Sequence, residues 1–273
     1  MNILVIGDSC DDVFVYGVIE RMSPEAPVPV LQPTNKTSNG GMSKNVYNNL
    51  KALGVQATLI TNREEIIKMR YVDEGYNQMV LRVDTNDKCK QIDEALRMNI
   101  CNNSYSGTEY DAIIISDYCK GFLTKSDIES ICKSNTNVFL DTKKELGDWM
   151  EYADFIKINS YEHKRNLKFI ANNLVKLKEK LIMTRGKYGC IFDGKTFEVE
   201  EVLVRDVSGA GDTFMAALVV EYIRTDDIIK SIQFAQRCAT IAVQKHGVSV
   251  VTKEEIESYE KKYSSYTNDN TKR

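Results

Sequence analysis

Short, unbroken apolar runs constrain this chain's fold more than any other feature. Ile3–Ile6, Ala57–Ile60, Ala112–Ser116, Val138–Asp141, Phe155–Ile158, Leu181–Thr184 and Cys190–Asp193 carry no steady alternation of apolar with polar residues, and several are rich in Ile and Val. Strands of that kind are covered on both faces, as in a parallel sheet clad in helices. Between them lie amphipathic stretches: Met42–Leu53, Ile92–Cys101, Lys125–Lys133, Thr213–Tyr222, Ile228–Lys245 and Lys253–Lys262. Such βα alternation predicts an α/β domain with a mainly parallel sheet.

Two segments break the rhythm. Pro27–Leu31 follows Ser23-Pro24-Glu25-Ala26, while Ile66–Val72 and Gln78–Val83 flank Asp73-Glu74-Gly75 and read as a hairpin. Together they predict a small sheet standing off the main layer. The polar segment 264–273 is expected to be a disordered tail.

A net charge of −3 over 273 residues offers no whole-chain hold on nucleic acid. The seven cysteines are scattered with no C-x-x-C pair, which argues against a disulfide framework or a zinc site and for reduced, mostly buried thiols. The opening apolar run is four residues long and has no basic flank, so neither a signal peptide nor a membrane span is expected, and a cytoplasmic protein is. Gly7-Asp8-Ser9-Cys10 stands where a dinucleotide-binding protein would carry G-x-G-x-x-G.

The strongest chemical signal is Arg205-Asp206-Val207-Ser208-Gly209-Ala210-Gly211-Asp212-Thr213-Phe214, leading straight into an amphipathic helix. Small residues before a helix let backbone N–H groups converge on an anion, with the helix dipole adding positive potential. An acidic residue at such a mouth is either a first-turn acid or a base working beside a phosphoryl group. In the second case the N–H groups stabilise the transferring phosphoryl while Asp212 takes the proton of the attacking hydroxyl.

Here the chain resembles the ribokinase-like (PfkB) carbohydrate kinases. Val207–Phe214 matches that family's C-terminal signature, Gly40-Gly41 with Asn45 its N-terminal one, Asn159-Ser160-Tyr161-Glu162 its Asn-x-x-Glu element, and Thr184-Arg185-Gly186 its nucleotide loop. Within the family it resembles in particular the kinase domain of bacterial heptose-phosphate kinases. Gly7-Asp8 with Asp12, Tyr16-Gly17, Ser23–Val30, Leu81–Asp84, Ser116–Gly121 and His246–Ser249 carry that likeness.

The resemblance implies a three-layer αβα sandwich over residues 1–263 with a small β lid, from about 18–37 and 65–84. It implies transfer of the γ-phosphoryl group of ATP, with Mg²⁺, to the anomeric hydroxyl of heptose 7-phosphate. Asp212 would be the base and Gly209, Ala210 and Gly211 the anion cradle. Asp12, Gly40, Gly41 and Asn45 would hold the sugar, and Lys120 would meet either its phosphate or solvent. Asn159 and Glu162 would organise Mg²⁺ through water, since Mg²⁺ sheds its waters reluctantly. Thr184, Arg185 and Gly186 would shape the nucleotide loop, with His246 and Gly247 near the adenine. The nucleotidyltransferase half of the bifunctional versions is not expected in this chain.

One βα unit of the family pattern is missing after Thr61, where Asn62-Arg63-Glu64-Glu65 leads almost directly into Ile66. That leaves another small sugar, a nucleoside, or an inactive sugar- or nucleotide-binding relative as alternatives. Apolar lid residues Val28, Val30, Met79 and Leu81 predict a homodimer paired through the lid.

Overall fold

A computed structural model of the chain describes residues 1–102 and 105–270. Among them two sheets are formed. The larger has eight strands: β1 (Asn2–Gly7), β4 (Gln56–Ile60), β7 (Ala112–Asp117), β8 (Val138–Thr142), β9 (Phe155–Asn159), β10 (Leu181–Thr184), β11 (Cys190–Phe192) and β12 (Lys195–Phe197). Their order is β12-β11-β10-β9-β8-β7-β1-β4, parallel from β10 to β4 and antiparallel at the β11–β12 edge. The seven predicted apolar runs are seven of these strands, β12 being the one not foreseen, and β7 and β8 are buried along their whole length.

Helices cover both faces. On one, Val46 and Leu50 of α1 (Ser43–Ala52), Phe214–Val220 of α7 (Ala210–Thr225) and Ile232, Ala235 and Cys238 of α8 (Ile228–Ala242) pack with Ile3, Val5 and Ile114. On the other, Ile100 of α2 (Glu94–Cys101) and Ile128, Ile131 and Cys132 of α3 (Lys125–Ser134) pack with Leu4, Ile6 and Ile113. Three short helices not foreseen from sequence follow β9: α4 (Ser160–Arg165), α5 (Leu167–Asn172) and α6 (Leu174–Leu177). The result is a three-layer αβα sandwich. Helix α9 (Lys253–Asn270) continues through 264–270, where a tail without fixed structure was expected; 271–273 lie outside the described residues. No helix of the described residues is long and apolar enough to cross a membrane.

The second sheet has four strands in the order β3-β2-β5-β6: β2 (Ser9–Met22), β3 (Pro29–Met42), β5 (Ile67–Asp73) and β6 (Gln78–Thr85). The β5–β6 hairpin is as predicted. Strands β2 and β3 are 14 residues each, so the sheet uses more chain than 18–37 and 65–84. Its base runs into the main domain, which places Asp12 on a lid strand and Gly40-Gly41 at the end of another. Residues 61–66 alone carry the chain from β4, the open edge of the main sheet, into β5, consistent with the missing βα unit.

Candidate active site

Helix α7 starts at Gly209, whose φ of 78° lies in the left-handed region that glycine adopts without strain. A Cβ there would also come within 2.5 Å of the Asn45 amide nitrogen, so the tight turn and the side chain from α1 depend on one another. Asp212 follows in the first turn and is only 4% exposed. Its Oδ2 accepts from Asn45 Nδ2 at 3.0 Å, and its Oδ1 from the Tyr118 hydroxyl at 2.7 Å. Asn49 in turn donates to Asn45 Oδ1 at 3.1 Å, which fixes the amide with its nitrogen toward the carboxylate. Burial pushes Asp212 up to about 6, against the opposing pull of the Tyr118 and Asn45 hydrogen bonds.

Tyr118 is held by the loop after β7. The carboxylate of Asp8, fully buried, accepts from the backbone N–H groups of Tyr118, Lys120 and Phe122 at 2.7, 3.3 and 3.1 Å. This motif acid therefore shapes a loop and leaves the pocket to its neighbours.

On the lid side of Asp212, Asp12 is buried and ion-paired with Arg70 of β5. A Cβ at Gly41 would collide with the Asp12 carboxylate, so the glycine pair allows β3 to close over it. Lys120, after β7, pairs with Asp87.

On the other side lies a cavity of about 880 Å³, lined by Tyr118, Lys143, Lys157, Asn159, Thr184, Gly186, Ala210 and Gly211, with apolar walls from Val202, Val207, Phe214 and Val243. Lys157 is 3% exposed and ion-paired with Asp141; a methyl group on Gly211 would stand 3.3 Å from its Nζ. Lys143 bridges Asp141 at 3.2 Å and Glu162 at 2.6 Å. Burial alone would raise Asp141, but the two lysines outweigh it and hold the carboxyl below its usual range.

Asn159 and Glu162 are together, but as a capping box. Glu162 N–H donates to Asn159 Oδ1 and Asn159 N–H to Glu162 Oε2, at 2.9 and 2.8 Å. Asn159 lines the cavity and Glu162 stands behind it on Lys143. Among the described residues no group of three or more His, Cys, Asp or Glu could hold a metal directly. Thr184 and Gly186 line the cavity; Arg185 instead turns its Nη2 to the Tyr188 carbonyl at 3.1 Å. His246 and Gly247 lie away from it. His246 meets Arg205 at 3.1 Å, and the Gly247 N–H donates to Asp206 at 3.1 Å beside Phe14 and Tyr16 of the lid.

Sequence reasoning gave no role to Tyr118, Arg70, Lys143 or Lys157. A lysine in the middle of the apolar run Phe155–Ile158 was a usable signal, because a buried ammonium needs a charged partner.

Known proteins resemble the chain in sequence and in fold. Bifunctional protein HldE of a Nitratiruptor species is 31% identical over 302 aligned residues, covering 95% of this chain and 65% of that protein. HldE of Campylobacter fetus subsp. fetus is 30% identical over 314, covering 97% and 68%. The chain thus spans about two thirds of these relatives, and the aligned stretches exceed its own 273 residues, so the relatives carry segments it lacks. The ribokinase of Thermotoga maritima superposes with a TM-score of 0.71 at 17% identity, covering 95% of this chain and 99% of that one. The Arabidopsis thaliana ribokinase complexed with ribose and ATP gives 0.68 at 13%, covering 94% and 97%. The family model described as pfkB family carbohydrate kinase matches residues 67–255. With the Gly209–Asp212 turn, the lid sheet and the parallel core all in place, the chain belongs to the pfkB family of carbohydrate kinases, phosphotransferases with an alcohol group as acceptor.

Proposed function

We propose that this chain transfers the γ-phosphoryl group of ATP to a sugar phosphate, with the anomeric hydroxyl of heptose 7-phosphate as acceptor and heptose 1,7-bisphosphate as product. The observation that carries this reading is Asp212, a buried carboxylate held by Tyr118 and Asn45 beside a cavity that Tyr118, Ala210, Gly211, Lys143 and Lys157 help to line. A base whose pKa is about 6 is ionised at neutral pH and still takes a proton readily.

The cavity's size suits a nucleoside triphosphate, with Lys143 and Lys157 at the phosphates and the valine-rich wall at the base, while Asp141, Glu200 and Glu201 offset the lysines along its lining. Bound ATP supplies the phosphoryl group, and Mg²⁺ screens its charge. Asn159 and Glu162 would hold the metal's water shell, since both are engaged with each other and present no open ligand set. The chain's own work is positional. Asp212 would receive the proton of the acceptor hydroxyl as its oxygen bonds to the γ-phosphorus and the bond from that phosphorus to the bridging oxygen breaks, releasing ADP. Tyr118 and Asn45 keep both carboxylate oxygens aimed, and the N–H groups of the Gly209–Asp212 turn meet the charge on the phosphoryl oxygens. Closure of the lid excludes water from the transfer.

The heptose assignment rests on the resemblance of Ser23–Val30, Leu81–Asp84 and Ser116–Gly121 to the heptose-phosphate kinases. The short 61–66 connection stands where the family pattern has a further βα unit, which keeps other small sugars and nucleosides as competing acceptors. ADP release over a panel of sugars, sugar phosphates and nucleosides tests it. The highest kcat/KM belongs to heptose 7-phosphate; a hundredfold preference for a nucleoside would reject the assignment, and absence of ADP formation with every acceptor would reject catalysis.

The exposed lid residues Met79 and Leu81, 52% and 54% accessible, with Val28, support pairing of two chains through the lid. A soluble enzyme of the cytoplasm fits this reading.

A further inference from the structure

Helix α1 buries two amides, Asn45 and Asn49, each 1% exposed; at i and i+4 they lie one above the other on a single face of the helix. Val46 and Leu50 beside them belong to the apolar core. A buried amide costs free energy unless its donors and its acceptor are engaged. Here every one is engaged. Asn45 Nδ2 donates to Asp212 Oδ2 at 3.0 Å and to the Gly209 carbonyl at 3.4 Å, and its Oδ1 accepts from Asn49 Nδ2 at 3.1 Å. Asn49 Nδ2 also donates to the Asn45 carbonyl at 2.9 Å, and Asn49 Oδ1 accepts from the Val251 N–H at 3.3 Å.

These bonds have a direction. A side-chain amide can present either end to a neighbour at little steric cost, because its oxygen and nitrogen are nearly equal in size. A backbone N–H cannot reverse. Val251, buried in the segment between α8 and α9, supplies such a donor from 202 positions along the chain. It requires the oxygen of Asn49, which leaves the Asn49 nitrogen for Asn45. That nitrogen requires the oxygen of Asn45, which leaves the Asn45 nitrogen for Asp212. Without the first two links Asn45 could turn its oxygen to the carboxylate, replacing an attraction by a repulsion between two acceptors. Also acting on the Asp212 carboxyl are Tyr118 after β7, Asp141 of β8, Lys157 of β9 and the Cys10 thiol of β2.

We propose that Asn49 is a positioning residue for Asp212: anchored on the Val251 N–H, it orients the Asn45 amide so that the nitrogen faces the carboxylate. This inference rests on the kinase reading above and deepens it by naming what sets the state of the base. Asn49 is not among the residues lining the cavity, and it reaches Asp212 through Asn45. A hydrogen bond from the Asn45 nitrogen favours the ionised carboxylate, the form that can accept the acceptor's proton. Loss of the orientation leaves Asp212 protonated to a higher pH and lowers the share of chains with a working base.

The test follows the titration of Asp212 itself, through the carbon-13 resonance of its carboxyl in aspartate-labelled protein, identified by its loss in Asp212→Asn. The pH profile of kcat/KM is measured beside it. Wild type, Asn49→Leu, Asn45→Ala and the double variant of the last two are compared. Asn49→Leu is expected to raise the pH at which Asp212 titrates by about one unit, the scale of one hydrogen bond to a charged group, and to move the acidic limb of kcat/KM equally. Asn45→Ala gives a shift at least as large. Adding Asn49→Leu to Asn45→Ala moves the titration by less than a third of the single-variant shift, because no amide is left to orient. Should Asn49→Leu not fold, Asn49→Ala is read the same way. Activity lost in Asn49→Leu while Asp212 titrates as in the wild type, or an equal shift from Asn49→Leu with and without Asn45, overturns the positioning role. The expected resonance shifts in a chain that forms no ADP with any acceptor would reject the kinase reading and leave the orientation of Asn45 by Asn49 standing.

Discussion

The Tyr118 hydroxyl donates to Oδ1 of Asp212 at 2.7 Å, joining the loop after β7 to the first turn of α7. The two residues are 94 positions apart, and each solves the other's burial problem. The phenol gains an acceptor, and the carboxylate gains a donor that favours its ionised form.

Removing that donor shifts the pH profile. Asp212 titrates at about 6, so kcat/KM of the wild type falls as the pH drops through that value. Tyr118→Phe deletes an interaction that lowers the Asp212 pKa, so the acidic limb moves upward. At pH 7 we expect kcat/KM to fall by roughly tenfold, the scale of one lost hydrogen bond to a charged group. A purely structural role for Tyr118 would lower activity without moving the limb.

Asp212 also makes stability pH-dependent. Its folded-state pKa of about 6 exceeds the ordinary 3.8, so the folded chain holds a proton more tightly than the unfolded one there. The resulting penalty is absent below pH 4, grows as the pH rises to 6, and is full above it, on the order of 3 kcal/mol. Asp212→Asn should therefore be more stable than wild type at pH 8 by up to about that amount, and by less at pH 5. Urea unfolding at the two pH values checks the sign.

Lys157 and Asp141 form a buried pair beside Gly211. Lys157→Met leaves Asp141 with Lys143 alone and should cost about 3 kcal/mol. Lys157→Met with Asp141→Asn should recover at least half of that. Urea midpoints of the three variants measure it; an additive loss in the double variant would argue against the pair as the source of the cost.

If the lids pair, Leu81→Glu places charges in the contact and should convert a dimer to a monomer in sedimentation at micromolar concentration. A wild type that sediments as a monomer would reject the interface.

Much of this architecture was legible because burial on two faces leaves an unmistakable apolar run, as in Ile113–Ile115. Strands β2 and β3 were harder. Thr34–Asn39 is a polar stretch whose backbone pairs along β2, and nothing in its side chains announces a strand. Helices α4 to α6 were missed because they are four to six residues long, too short for a helical period to emerge. In the site, the Gly209–Asp212 turn was readable since its chemistry is contiguous. Tyr118 and Lys143 directly follow β7 and β8, Lys157 lies within β9 and Arg70 within β5 of the second sheet, positions that only the folded sheets bring together. The Asp12–Arg70 pair follows from the register of β2 on β5, which a sequence does not display.

Asp212 is proposed as the acceptor's base. ADP formation by Asp212→Asn, with ATP affinity measured on the same preparation, tests this most directly. We predict turnover reduced at least a thousandfold with ATP affinity within threefold of wild type. Turnover near the wild-type rate would contradict it.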